Sequence, residues 1–256
     1  MMFSQFRQAI KNFTPSASRQ IPQAFLLGQE GPLTEYYIPF DYLNPAARIV
    51  LVGITPGYQQ WLHAVTAARQ ALLAGSSDDQ ALFLAKQQGA FSGAIRNNLI
   101  PLLDAVGLAD WLALPSCREL FGEHQSLVHF ASLFNQPVFL NGKNYNNTPS
   151  FRQSALLRHS IERGFAAEAA QLPQAVFVPL GPVATQGVAL LVQQQRIDPA
   201  RVLAGLPHPS GANSERIHYF LGKKSREALS RQTNPQQLDD ARETLIRQVA
   251  VLPALR

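Results

Sequence analysis

Four short apolar runs along the chain predict β-strands. The first and third runs are apolar on both alternating faces, which is typical of buried parallel strands that carry helices on each side. Three of the four are rich in β-branched or aromatic residues, which favour strands. The runs lie at residues 48–53, 127–132, 175–180 and 201–206.

Helical patterns separate these runs. Apolar residues recur at helical spacing from Trp61 to Leu72, and Gly75 supplies a stop at the C-terminal end. A second apolar stripe covers residues 95–106, and we expect this helix to kink or restart at Pro101.

Two further helices complete the pattern. One covers residues 182–192, directly after the third run, and the other covers about 235–250. Asn234 is the predicted N-cap of the last helix, with Pro235 at its first position. The alternation of strands and helices predicts an α/β fold, a three-layer sandwich with a central, mostly parallel four-stranded sheet. No interdomain linker is evident, so we expect residues 1–256 to form a single domain.

The composition restricts the class of protein. Of the 256 residues, 46% are hydrophobic and 15% are charged, which is too apolar and too weakly charged for a disordered chain. The single cysteine, Cys117, excludes a disulfide framework and a cysteine-bound zinc or iron–sulfur site. The 22 basic against 17 acidic residues give a net charge of +5, which permits a nucleic-acid partner without demonstrating one.

Neither a membrane span nor a signal peptide is predicted. The apolar runs are far shorter than the roughly 20 residues that a transmembrane helix needs. Residues 1–13 include Arg7 and Lys11 and lack the apolar core of a signal peptide. We therefore expect a cytoplasmic protein that has no membrane partner. We also expect it to be a monomer.

Residues that follow the strands are the first candidates for chemistry, because ligands of open α/β sheets bind beyond the carboxyl ends of the strands. The segment Gly53-Ile54-Thr55-Pro56-Gly57-Tyr58 follows the first run. Gly57 permits a positive φ, and Pro56 fixes the approach of the chain, so backbone N–H groups can come close to a ligand. An ordinary turn between a strand and a helix has the same spacing.

His208 follows the fourth run and lies between two prolines, in the segment Pro207-His208-Pro209-Ser210-Gly211. The prolines leave this histidine few backbone conformations. Such a residue either packs or caps within the fold, or it presents its imidazole to a ligand.

The two segments together resemble motifs of the uracil-DNA glycosylase superfamily. That family has a Gly-X-(Asp/Asn)-Pro motif after the first strand and a His-Pro-Ser motif after the last, in the order found here at Gly53 and His208. The segments at 91–99 and 178–184 also resemble the family. The chain looks most like the single-strand-selective branch because of residues 139–145, and the resemblance covers about residues 45–225.

The resemblance implies an enzyme that flips a base out of DNA and hydrolyses its N-glycosidic bond, in DNA repair, without a metal or another cofactor. His208 would donate a hydrogen bond to the departing base, and Thr55 would take the place of the water-orienting residue. Arg216 would fill the space that the flipped base leaves. The implied base-binding residues are Gly53, Ile54, Pro56, Gly57, Tyr58, Phe130, Ser132 and Asn135. The implied contacts to single- or double-stranded DNA are Ser210, Gly211, Asn213, Arg216, Lys223 and Lys224.

Several of these residues have a simpler interpretation. Tyr58 and Phe130 are candidates for stacking on a base, but aromatic residues in such places are more often part of a core. Lys223 and Lys224 would meet phosphates, or they belong to a solvated helix face.

Two positions depart from the family pattern. Thr55 stands where the family has Asp, Asn or sometimes Glu, and a hydroxyl cannot act as a general base near neutral pH. Phe130 stands where the family has an asparagine that reads the uracil edge. We consider the hypothesis that Glu30 or Glu35 replaces the missing carboxylate from a segment folded over the pocket mouth.

These departures leave several functions open. The protein is a glycosylase with an altered base preference, a weak enzyme that relies on His208, or a nucleic-acid binding module without excision. Hydrolysis of small nucleosides or nucleotides is a further alternative.

Overall fold

The computed structural model describes residues 2–15 and 19–253, which form an α/β fold with two sheets. The described strands are β1 (Leu26–Glu30), β2 (Leu33–Tyr36), β3 (Ile49–Gly53), β4 (Val128–Ser132), β5 (Val138–Leu140), β6 (Lys143–Asn144) and β7 (Val176–Pro179). The described α-helices are α1 (Phe3–Asn12), α2 (Tyr58–Leu73), α3 (Asp78–Gly89), α4 (Ala94–Asp104), α5 (Leu108–Trp111), α6 (Ala155–Arg163), α7 (Phe165–Ala169), α8 (Pro182–Gln193), α9 (Ser214–Phe220) and α10 (Pro235–Ala250). None of these helices has the length and apolar character needed to cross a membrane.

The chain divides into two compact units. Unit 1 consists of Met1–Leu43, Ile54–Ser92 and Phe130–Gln171, and unit 2 consists of Asn44–Gly53, Gly93–His129 and Leu172–Arg256. The interpretation as a single domain stays a prediction.

An antiparallel sheet of four strands, in the order β1-β2-β5-β6, lies in unit 1. Gly31, with a φ of +56°, makes the turn between β1 and β2, a conformation that glycine adopts without steric cost. The segment is thus a hairpin within a sheet, and the hypothesis that it folds over a pocket stays a prediction.

The core of unit 1 is rich in aromatic residues. The Trp61 ring lies edge-to-face against Phe13 and Phe25, and its indole N–H donates to the carbonyl of Tyr37 at 2.9 Å. That hydrogen bond satisfies the polar atom of a fully buried side chain. The predicted stop of this helix is confirmed, because the helix ends at Leu73 and Gly75 has a φ of +84°.

A three-stranded parallel sheet, in the order β4-β3-β7, contains the predicted buried strands. Every residue of β3 is buried, and its register with β7 runs in parallel from Ile49 opposite Val176 to Val52 opposite Pro179. The predictions at 48–53, 127–132 and 175–180 are confirmed within one residue at each end.

The prediction of a fourth strand at 201–206 is wrong, and so is the central four-stranded, mostly parallel sheet. Only one parallel bridge forms there, between Phe177 and Val202, and Leu203 donates its N–H to the carbonyl of Phe177 at 2.9 Å. The chain then turns away at Gly205, which has a φ of +132° and lies against Ala241 of α10. The four-stranded sheet of the described residues is the antiparallel one in unit 1.

Two helices of unit 2 bear on the predictions. α4 continues through Pro101 without restarting, although a proline there cannot donate a backbone hydrogen bond. In α10 the predicted N-cap is confirmed, because the Asn234 side chain accepts the N–H of Gln237 at 3.2 Å. The inward-facing residues Leu245 and Val249 are buried.

Candidate functional site

The residues predicted to form the site are divided between the two units. Unit 1 contains Ile54, Thr55, Pro56, Gly57, Tyr58, Phe130, Ser132 and Asn135. Unit 2 contains Gly53, His208, Ser210, Gly211, Asn213, Arg216, Lys223 and Lys224. The expectation that both groups line one cavity stays a prediction.

Thr55 connects the turn after β3 to the start of β5. Its hydroxyl donates to the carbonyl of Gln136 at 3.0 Å and accepts the N–H of Val138 at 3.0 Å. A hydroxyl has one proton to donate, and here the protein uses it. The contacts of Thr55 are those of a structural residue, so only its remaining lone pair is left to orient a water molecule.

Gly57 acts differently from the expectation. Its φ is −87°, so the positive φ that the sequence allows is not used. A Cβ at this position would lie 3.1 Å from the side-chain amide nitrogen of Asn144, so the exposed Asn144 side chain would have to shift slightly to make room for it. Tyr58, the first residue of α2, stacks on Trp61 with ring centroids 6.0 Å apart, which ties it to the core of unit 1.

Phe130 also belongs to a core. It is buried, and its ring lies edge-to-face against Phe91 at 5.8 Å. Ser132 is half-buried at the end of β4. These contacts favour the structural interpretation of Phe130 over a stacking platform.

Asn135 has a polar atom that the described residues leave unsatisfied. Its Oδ1 is buried and has no hydrogen-bond partner among the residues that the structure describes. The side chain lies against Gly164, where an added Cβ would come within 3.2 Å of the Asn135 Cβ. A buried acceptor without a partner costs about 1–3 kcal/mol, so the chain tolerates a destabilising feature at this position.

His208 is held rigidly in unit 2. Pro207 and Pro209 are buried on either side, and the amide of Asn98 in α4 donates to the carbonyl of Pro209 at 3.0 Å. The imidazole is half-buried, and its Nδ1 accepts the N–H of Ser210 at 3.2 Å. A neutral ring in this arrangement carries its proton on Nε2, which is then a hydrogen-bond donor.

Burial lowers the pKa of His208. The neutral imidazole is therefore the form present near pH 7, since the ordinary value of about 6.5 is already below neutrality. This residue presents a neutral donor, as opposed to a positive charge.

Gly181 lies directly against His208. It follows β7, has a φ of +85°, and leaves room so small that a Cβ would lie 2.8 Å from the His208 Cβ. The sequence places Gly181 after a strand but gives no sign of this contact, because His208 is 27 positions away.

The loop after His208 is internally connected. The amide of Asn213 donates to Ser210 Oγ at 3.2 Å, and Arg216 Nη1 donates to Asn213 Oδ1 at 2.8 Å. Residues Gly211–Asn213 form a 3-10 turn, and Arg216 is an exposed residue of α9. Its role as a wedge in DNA stays a prediction.

Of the two lysines predicted to contact DNA, only Lys223 is exposed. Lys224 is partly buried in an ion pair with Glu215 at 2.9 Å. No pattern in the sequence marks Glu215, the partner of Lys224, as a candidate.

Glu30 and Glu35 have structural partners. Glu30 accepts hydrogen bonds from the N–H of Leu156 and from Ser154 Oγ, both at 2.7 Å, at the start of α6. Glu35 is buried and forms an ion pair with Arg163 at 2.8 Å. These contacts account for both carboxylates without a catalytic role.

One group of side chains in the described residues has the composition of a metal site. Ligand atoms of Glu119, Glu123 and His124 lie within 4.8 Å of one another. Glu123 and His124 are exposed, and Glu119 Oε2 lies 3.7 Å from His124 Nδ1, which is longer than a hydrogen bond. Nothing else at this surface indicates a ligand.

Comparisons with known proteins give one informative match. The chain is 36% identical over 227 residues to the protein described as "Uncharacterized protein YoxB" from Bacillus subtilis (strain 168), a match that covers 86% of the chain and 88% of the relative. No family model matches the chain. No solved structure matches it.

Proposed function

We propose that this chain, which belongs to the same family as YoxB of Bacillus subtilis, is a DNA glycosylase-like hydrolase. It would cleave the N-glycosidic bond of uracil or of another deaminated or damaged base in DNA. The observation that carries the proposal is His208, a clamped and half-buried imidazole whose neutral form has its proton on Nε2. This donor follows the apolar run at 201–206, after which the motif resemblance implies the leaving-group donor.

The chemistry follows from the charge that develops during cleavage. The bond between C1′ and the base nitrogen breaks with its electron pair leaving on the base, and the sugar becomes cation-like. A neutral imidazole stabilises the developing negative charge by donating a hydrogen bond from Nε2–H, and the ring keeps its proton. One preorganised donor of this kind is worth about 2.7–4 kcal/mol, or about 10²–10³ in rate. Water then adds to C1′, and the proton that it releases neutralises the departed base anion.

Thr55 would contribute little to the activation of that water. Thr55 cannot act as a general base, and its hydroxyl proton is already donated to Gln136. We therefore propose that stabilisation of the leaving base supplies most of the rate enhancement. The enzyme would be slower than one that also has a carboxylate directed at the water.

Asn135 is the residue that we propose reads the base. Its amide can both donate and accept a hydrogen bond along one base edge, and its Oδ1 lacks a partner within the described residues. Phe130, at the position expected for this function, has the contacts of a core residue.

The test is a panel of labelled oligonucleotides. Single- and double-stranded substrates carrying uracil, hypoxanthine, xanthine or hydroxymethyluracil are incubated with the protein and then treated with alkali. Strand scission at the modified base supports the proposal. Absence of scission with every substrate contradicts it. Release of free base from nucleosides alone would instead indicate a hydrolase of small molecules.

A noncatalytic nucleic-acid binding module is the second candidate. The contacts of Thr55 and Phe130 favour it, because both residues serve the fold at positions where the resembling family has polar catalytic side chains. Oligonucleotide binding that weakens with salt, without scission after alkali, would identify this function. For either function we propose a monomer that acts in the cytoplasm.

A further inference from the structure

Glu215, on the first turn of α9, collects four hydrogen bonds on one carboxylate. Lys224 Nζ donates to it at 2.9 Å, and the hydroxyl of Thr233 donates at 2.6 Å. Ser230 contributes two, from its Oγ at 2.6 Å and from its N–H at 3.1 Å. The hydrogen bond from Ser230 is the largest of the causes that lower the pKa of this carboxyl, which is ionised at neutral pH.

This carboxylate joins α9 to the loop at residues 221–234. Arg216 follows Glu215 directly, and its Nη2 donates to the carbonyl of Gln232 in the same loop at 3.1 Å. Through Nη1 the guanidinium reaches Asn213, and Asn213 in turn donates to Ser210. A continuous set of hydrogen bonds therefore runs from the loop to the residue two positions after His208.

The same segment concentrates the positive charge of the chain. Residues 215–231 contain five basic and two acidic side chains, a net charge of +3, against +5 for the whole protein. Lys224 is neutralised by Glu215. The basic side chains that remain are exposed: Arg216, Lys223, Arg226 and Arg231.

We propose that Glu215 is a positioning residue whose carboxylate holds α9 and the 221–234 loop so that these four exposed cations contact DNA phosphates. The inference rests on the proposed function in one respect, that the protein binds nucleic acid. Lys224 is then an internal partner of Glu215 and does not contact phosphate. The proposal predicts that removing a negative charge at this position weakens the binding of a negatively charged ligand.

Glu227 provides a matched control for that prediction. It is exposed and lies in the same basic segment. Glu227→Gln removes the same negative charge as Glu215→Gln. If only net charge matters, both variants bind DNA more tightly. If Glu215 positions the cations, the two variants change affinity in opposite directions.

The measurement is the fluorescence anisotropy of a labelled oligonucleotide titrated with the full chain at salt concentrations from about 50 to 200 mM, the range over which phosphate contacts dominate the salt dependence. We expect Glu227→Gln to bind more tightly than wild type and Glu215→Gln to bind more weakly. With a duplex oligonucleotide, each lost phosphate contact reduces the magnitude of the negative slope of log K against log salt by about 0.9. Circular dichroism checks that the variants are folded.

A second variant covers the case in which Glu215→Gln does not fold. Ser230→Ala leaves the charge unchanged and removes one hydrogen bond from the carboxylate, so we expect weaker binding and a smaller salt slope. Tighter binding by Glu215→Gln, or wild-type binding by Ser230→Ala, would overturn the positioning role while wild-type binding stands. If the wild type binds no oligonucleotide, the proposed function fails and the positioning role fails with it.

Discussion

Replacement of Gly181 by alanine tests whether the backbone after β7 sets the position of His208. Gly181 has a φ of +85° and a ψ of 174°, a region that is essentially restricted to glycine. The added Cβ would lie 2.8 Å from the His208 Cβ and 3.3 Å from its Cδ2. Because real Cβ atoms do not approach so closely, either the strand end or the imidazole has to move.

The expected losses of stability and of activity follow from the strained backbone at Gly181 and from the close contact with His208. A residue forced into such a backbone region costs about 1–3 kcal/mol. For a chain of this size each kcal/mol lowers Tm by about 2–4 °C, so we expect a decrease of about 2–12 °C. Displacement of a catalytic group by about 1 Å costs about 10² in rate. The excision rate of the folded variant should therefore be lower than that of folded wild type.

The assay combines thermal unfolding with single-turnover base excision at a temperature where the variant is fully folded. Gly211→Ala is the control for stability, because no atom of the described residues beyond its two chain neighbours lies within 4 Å of its added Cβ and its φ is not positive. We expect the control to unfold within about 1 °C of wild type, as surface substitutions usually do. A Gly181→Ala protein with wild-type Tm and wild-type excision would show that Gly181 does not set the position of His208.

Two further predictions concern His208 and Asn135. Protonation of His208 at Nδ1 would break the hydrogen bond from Ser210 that positions the ring, and burial lowers the pKa of this imidazole, so excision should stay constant around neutral pH and fall only below the ordinary value of about 6.5. The unfolded chain takes up that proton first, so the free energy of unfolding should decrease as the pH falls from about 6.5 through the lowered pKa; His208→Gln should lack this dependence in denaturant titrations at several pH values. Asn135→Leu removes a buried acceptor that lacks a partner, so Tm should stay equal or rise while base excision is lost. An Asn135→Leu protein with wild-type excision would remove Asn135 from the proposed site.

The parallel sheet was predictable because its strands are buried on both faces. Every residue of β3 and β7 is buried, and a continuous apolar run is the pattern that such strands require. The run at 201–206 has similar residue types but forms only one bridge. Its contact with α10 at Gly205 depends on residues about 36 positions away, which periodicity does not report.

The antiparallel sheet of unit 1 gave a weaker signal. β1 contains Gly28 and Gln29 among its five residues and has no fully buried position, and β6 has two exposed residues. Strands held by pairing with neighbours, as opposed to burial of their own side chains, lack the hydrophobic alternation that identifies them. The segment could therefore be mistaken for a loop rich in turn residues.

Some features of the candidate site were also predictable from the sequence, and others were not. The two prolines around His208 predict a histidine with a constrained backbone. The structure assigns its tautomer, because the N–H of Ser210 donates to Nδ1. The role of Thr55 depends on contacts with residues 81 and 83 positions away, which the sequence does not link. Glu215 was missed because its partners lie 9 to 18 positions further along, with no spacing that marks them as a cluster.

The most direct test of the proposed chemistry is the single-turnover rate of base release by wild type and by His208→Ala, on whichever modified oligonucleotide the wild type cleaves fastest. His159→Ala, which changes an exposed histidine of α6, is the control. We expect a decrease of about 10²–10³ for His208→Ala, the effect of losing one preorganised donor, and no change for the control. Equal rates for wild type and His208→Ala would contradict the claim that His208 stabilises the departing base.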